Sequence, residues 1–235
     1  MTDPDFQRAR TPEAKRAREN AILAAAERLA TANGVRAVTV TAIADEVGMH
    51  KSAMLRYFET REDIFLRLAA DGWQEWSAEV RSRLGAVRPY GGAAGPEREK
   101  AARSIAGVLA HSLVARPLFC DLLAHTPLNL ERNVSLDTVR AFKLRAIAEV
   151  AEIGTALRTV TPLDADQARS VVVTATSMAG ALWQMAAPGT TLRAFYETDP
   201  ELCHSVVEVE PRLTDILAAL LTGYAVASTA RPVGD

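Results

Sequence analysis

Apolar residues recur with helical spacing through most of the chain, and no run alternates long enough with a two-residue period to suggest a sheet. Ile22, Leu23, Ala26, Leu29 and Ala30 share one face of a helix that Pro12 can open, because a first-turn residue needs no N–H, and that Asn33 and Gly34 stop. Thr39 or Thr41 can cap a second, short helix with Ile43, Ala44 and Val47 on its inward side, ended by Gly48. A third fits between about His50 and Tyr57. Thr60 followed by Asp63 approximates a capping box, with Asp in place of the usual Glu, and opens a longer helix carrying Ile64, Leu66, Leu68, Trp73 and Trp76.

The turn-rich stretch VRPYGGAAGPER (87–98) reads as a loop. Beyond it the pattern predicts helices at about 97–115, 117–126, 135–159, 164–187 and 211–227, with Asp164 and Gln167 in reciprocal capping positions. Residues 189–210 give no comparable pattern. The expected fold is all-α. None of the first three helices has enough apolar surface to fold alone, so they must share one core, while the fourth runs unbroken into a larger helical body, so its motion is transmitted to the three before it. No internal repeat, low-complexity block or heptad run is present.

Composition adds constraints. At 235 residues and 49% apolar, the chain can bury a substantial core. A net charge of −2 argues against a protein that coats nucleic acid nonspecifically, but Arg8, Arg10, Lys15, Arg16 and Arg18 against only Glu13 make a local basic arm. Cys120 and Cys203 lie far apart in apolar surroundings, which indicates neither a metal cluster nor a disulfide scaffold and suits a reducing, cytoplasmic setting. The N-terminus lacks the apolar core of a signal peptide. Residues 170–192 carry no formal charge, but Thr174, Thr176, Ser177, Gln184, Pro188 and Gly189 interrupt them, so a buried helix is expected rather than a membrane span.

Two short helices joined at Gly48 have the make-up of a helix-turn-helix, whose first helix braces on the DNA backbone while the second enters the major groove. The third helix would present Lys51, Ser52, Ala53 and Arg56. Lys51 can neutralise phosphate or reach guanine edges; Arg56, late in the helix, suits phosphate. Thr39, Thr41, Tyr57 and Arg61 are candidate phosphate donors, and Ala53 can sit against a thymine methyl group. His50 can act as a helix cap, as a DNA contact, or as both. Taken singly, the threonines read equally as caps and Tyr57 as core.

The stretch TVTAIADEVGMHKSAMLRYFETREDIF (39–65) resembles the DNA-binding region of the TetR family of transcriptional repressors. Thr39 precedes the first helix, Ile43 and Ala44 form the expected pair, and Gly48 is followed by the apolar Met49. Lys51, the Arg56-Tyr57-Phe58 triplet, and Arg61 with Glu62 complete the pattern. His50, Ser52, Ala53, Met54 and Leu55 depart from it, and Leu55 replaces a tyrosine that in relatives often contacts the DNA backbone. The resemblance implies a DNA-binding domain with a basic arm over 1–65 and a helical ligand-binding and dimerisation domain over 66–235.

It further implies a homodimer that reads double-stranded, roughly palindromic operator DNA and acts as a repressor released by a small effector. The last two helices would form the twofold interface through Val171, Ala175, Leu182, Leu213, Leu217, Leu220, Leu221 and Tyr224, although from pattern alone they read equally as core. Candidate effector contacts are Trp73, Trp76, Phe119, Cys120, Leu123, Phe142, Met178 and Trp183, suited to an apolar or aromatic molecule, with His111, His125 and Thr174 as polar contacts. Each of these also reads as ordinary core. No cofactor or metal is expected. The alternatives are a small-molecule-binding dimer without DNA function and a hydrolytic enzyme using His111, Cys120, His125 and Asp121, whose spacing matches no recognisable catalytic arrangement.

Overall fold

A computed structural model of the chain describes residues 12–90 and 95–230; Arg8 and Arg10 of the basic arm and the middle of the 87–98 loop lie outside the described residues. The fold is all-α. Among the described residues ten α-helices follow in order: α1 (Pro12–Asn33), α2 (Val40–Glu46), α3 (Lys51–Met54), α4 (Arg61–Leu84), α5 (Pro96–Val114), α6 (Pro117–Leu128), α7 (Leu136–Val160), α8 (Ala165–Ala186), α9 (Thr191–Thr198) and α10 (Val209–Ala230). Short 3-10 turns occupy Val35–Ala37, Leu130–Arg132 and Cys203–Ser205. Helix α9 lies in the segment that showed no pattern; none of its residues is buried, so it has no core-facing stripe to read.

The caps work largely as the sequence suggests. Thr39 Oγ1 accepts the Ala42 N–H at 3.1 Å, and Thr60 Oγ1 accepts the Asp63 N–H at 3.1 Å. Asp164 and Gln167 form a complete capping box, 2.8 and 3.0 Å in the two directions. The Asp63 carboxylate, one methylene shorter than Glu, takes the Glu59 N–H at 3.2 Å. His50 occupies the N-cap of α3 but makes no side-chain cap bond, which corrects its expected capping role. Gly48, at φ 64°, makes the turn between α2 and α3 in the left-handed region that other residues rarely adopt.

Ile22, Ala26, Val38, Ile43, Met54, Phe58 and Phe65 are all buried together in the N-terminal unit. Helix α4 then continues into the body, where it packs on α5, α6 and α7, while α10 lies on α5 and α8. Helices α6 and α8 pass closely at Gly180, where an added Cβ would lie 2.8 Å from the Ala124 backbone nitrogen. Among the described residues no single helix is long and apolar enough to cross a membrane.

Six of the eight residues expected at a twofold interface are enclosed by their own subunit: Val171, Ala175, Leu182, Leu213, Leu217 and Leu221 are buried within the one chain. Only Leu220 and Tyr224 remain half-exposed. The stripe is apolar, but hydropathy does not distinguish a face covered by the same chain from one covered by a second copy. The outer side of α8 instead shows Val173, Ser177, Ala181 and Met185 at four-residue spacing, with Val173 47% and Met185 59% exposed. On α10 Ala219, Gly223 and Val226 are exposed and Ile216 half-exposed.

Candidate nucleic-acid interface

Helix α3 has a single α-turn, four residues long, and could not persist alone. Backbone bonds from Leu55 to Lys51, Arg56 to Ala53, and Tyr57 and Phe58 to Met54 extend its coil to Phe58, which recovers the predicted extent in irregular form. Buried Met54 and Phe58 anchor the inner side, and half-buried Tyr57 packs against the same core. The opposite side is therefore turned outward. His50, Lys51, Ser52 and Arg56 are exposed, Ala53 is half-exposed, and Thr39 and Thr41 stand exposed at the start of α2. Among the described residues neither Lys51 nor Arg56 has an ion-pair partner in the protein. Leu55, also exposed, adds an apolar contact to this surface. On the neighbouring α1, Lys15, Arg16 and Arg18 are exposed as well.

Arg61 is placed differently from the other candidate DNA contacts. Its guanidinium turns inward, donating from Nε to the Val38 carbonyl, from Nη2 to the Val35 carbonyl, and from Nη1 to Glu62 Oε1 at 3.0 Å. It also lies 4.6 Å from the centre of the Phe65 ring. The residue thus fastens the start of α4 to the turn between α1 and α2, leaving its donors engaged inside the protein.

A second fastening joins that turn to the body. Asp121 of α6 accepts the Val35 N–H at 2.7 Å through Oδ2, and the Gln184 side-chain amide at 2.7 Å through Oδ1, with His125 Nε2 3.4 Å from the same oxygen. Burial alone would raise the Asp121 pKa, but the donors from His125, Val35 and Gln184 outweigh it and hold the carboxyl below its ordinary 3.8. In the sequence alone Asp121 stands out only as a possible catalytic carboxylate. Its signal was a lone charge inside the apolar run Leu118–Leu123, a position that favours a fully bonded carboxylate.

The candidate effector residues fall into separate places. Trp73, Trp76 and Phe119 form one aromatic cluster, with centroids 5.6, 5.7 and 6.1 Å apart, and Trp76 Nε1 donates to Ser112 Oγ at 2.9 Å. Cys120 is buried beside it, while Leu123 and Met178 are half-buried. Phe142 lines a small 170 Å³ pocket against α4. Trp183 lines a 1120 Å³ cleft with α9 and α10, and also a 450 Å³ cleft with Asp121 and His125. Phe119, Phe142 and Trp183 thus line different spaces.

The hydrolase arrangement does not form. Cys120 donates to the Leu113 carbonyl at 3.2 Å, and burial, with the adjacent Asp121 charge, pushes its thiol up to about 12, far from a thiolate nucleophile. His111 is exposed and pairs instead with Glu210 at 3.2 Å. No group of three metal-binding side chains occurs among the described residues.

Residues 22–68 match the family model for bacterial regulatory proteins of the tetR family, and residues 70–228 match the tetracyclin repressor-like C-terminal domain. The chain belongs to the TetR family. As a TetR-family member it is a transcriptional regulator and not an enzyme. The fold recurs in RolR bound to resorcinol (TM-score 0.53, 13% identity, 96% of this chain and 99% of that one). It recurs also in the fatty acid degradation regulator FadR of Bacillus halodurans (0.51, 16%, 92% and 97%) and in FadR of Bacillus subtilis bound to stearoyl-CoA (0.50, 16%, 85% and 97%). No curated protein sequence matches this TetR-family chain.

Proposed function

We propose that this TetR-family chain is a cytoplasmic, homodimeric repressor that holds a palindromic operator and releases it when a small, largely apolar molecule binds the body. The observation that carries this reading is the outward set on α2 and α3: His50, Lys51, Ser52 and Arg56 with Thr39 and Thr41, raised on a buried Met54–Phe58 base. Basic and hydroxyl groups left exposed around so short a helix suit phosphates and base edges. Two copies related by a twofold axis would bring their α3 helices about 34 Å apart, one turn of duplex.

The outer side of α8 and α10, with Val173, Ser177, Ala181, Met185, Ala219 and Gly223, supplies the self-complementary contact. Small residues there let helices approach closely. Resorcinol in RolR and stearoyl-CoA in FadR are ligands of those proteins; at 13 and 16% identity they support effector binding in this chain only in outline.

Selection of binding sites from a random duplex library with the purified protein tests the proposal. An inverted repeat whose half-sites are one helical turn apart is expected, with affinity falling steeply with salt. Binding without sequence preference, or none at physiological salt, would overturn it.

A further inference from the structure

A cavity of 410 Å³ lies in the seam between α1 of the N-terminal unit and α4 and α6 of the body. Its floor is apolar: Leu23 and Ala24 from α1, Leu68 from α4, and Phe119 and Leu122 from α6. Its rim is acidic, carrying Glu27 on α1 and Asp71 and Glu75 on α4. Asp71 shares its charge with Arg67 at 3.5 Å, but among the described residues Glu27 and Glu75 have no cationic partner. The one cation on the lining, Arg116, is already used: it pairs with Glu79 and donates to the Ser112 carbonyl at 3.0 Å.

We infer that this seam is a binding site for a small organic cation, an ammonium group on an apolar or aromatic body, with Glu27 and Glu75 receiving the charge and the floor receiving the body. The volume falls within the range of small-molecule sites, where an apolar lining with a few polar groups is usual. A carboxylate ligand would meet two unbalanced like charges, and a neutral one would leave the rim unused. The position gives the ligand a consequence. Its two carboxylates sit on helices of different units, and Phe119 touches the Trp73–Trp76 cluster, so occupancy fixes how α1 sits on the body. The inference rests on the regulatory reading above and names the ligand class and place within it.

The test uses the full chain and three probes of like size, 4-phenylbutylammonium, 4-phenylbutanol and 4-phenylbutyrate, titrated calorimetrically and by tryptophan fluorescence. The ammonium should bind most tightly and the carboxylate least. Glu27→Gln combined with Glu75→Gln should weaken the ammonium about fivefold and erase the preference, because each partly exposed ion pair contributes modestly. Ala24→Phe, which fills the floor from α1, should abolish binding of all three while circular dichroism stays unchanged. Equal binding of the three probes, or unchanged ammonium affinity in either variant, overturns the inference. Operator affinity, measured separately without probe, tells the two ideas apart: cation binding with charge preference in a protein that selects no DNA would uphold the site and sink the regulatory reading.

Discussion

Asp121 Oδ2 accepts the Val35 N–H at 2.7 Å, so one carboxylate on α6 holds the turn that leads into the helix-turn-helix. Asp121→Ala leaves that part-buried amide without its acceptor and strips Gln184 of its partner. A loss of about 1–3 kcal/mol in urea unfolding is expected. The pH dependence follows from the depressed carboxyl. A group whose folded pKa lies below its unfolded 3.8 stabilises fully above 3.8, and that contribution disappears as pH falls through the folded value. The stability gap between the native chain and Asp121→Asn should therefore be constant near neutrality and shrink below about pH 4.

Lys51 and Arg56 stand exposed on α3, whereas Arg61 is bonded to the carbonyls of Val35 and Val38. Replacing Lys51 and Arg56 together by Ala should lower operator affinity at least roughly 10- to 100-fold at physiological salt and reduce the salt slope by about 4, since each protomer of the dimer loses two phosphate contacts, with no change in unfolding midpoint. Arg61→Ala should instead cost about 2 kcal/mol of stability, since its loss strands part-buried carbonyls. Mobility-shift titrations paired with thermal melts separate the two effects.

Leu217 is 0% exposed and faces its own subunit, while Ala181 lies on the outer side of α8. Leu217→Ala should destabilise the fold by about 2–5 kcal/mol. Ala181→Glu should leave helicity intact but convert the dimer to monomer in sedimentation velocity. A dimer retained in Ala181→Glu would move the twofold contact elsewhere.

At Gly180 a methyl group would strike the backbone nitrogen of Ala124, which cannot step aside as a flexible side chain would. Gly180→Ala should lower stability by about 1–3 kcal/mol despite the higher helix propensity of alanine. A raised melting temperature would show that α6 and α8 are free to separate.

Cys203 is exposed and Cys120 buried with a thiol raised to about 12. Iodoacetamide at about pH 8 should label one thiol quickly, and peptide mapping should place it at Cys203. Rapid modification of Cys120 in the native chain would contradict its packing.

The local chemistry of the helix ends was legible in the sequence. Thr39, Gly48, Thr60 and the Asp164–Gln167 pair act within a few residues of themselves, so their neighbours in the chain suffice to read them. Arg61 was not legible in the same way, because the carbonyls that turn it inward lie 23 and 26 residues earlier. Likewise Trp73, Phe142 and Trp183 could be recognised as bulky and apolar, but only the packing of α4, α7 and α8 shows that they face different spaces. Helix periodicity located the stripe on α8 and α10 without showing that α5, α6 and α7 already cover it.

Helix α4 spans 24 residues without a break, from the cap beside the helix-turn-helix to the far end of the body. At 1.5 Å per residue it is a rod about 36 Å long. Pivoting it by about 5° at one end swings the other by about 3 Å, close to the rise of one base pair. On the regulatory reading proposed above, a stiff lever of that length would convert a displacement no larger than a side-chain repacking into a misregistration of a whole base step at the groove.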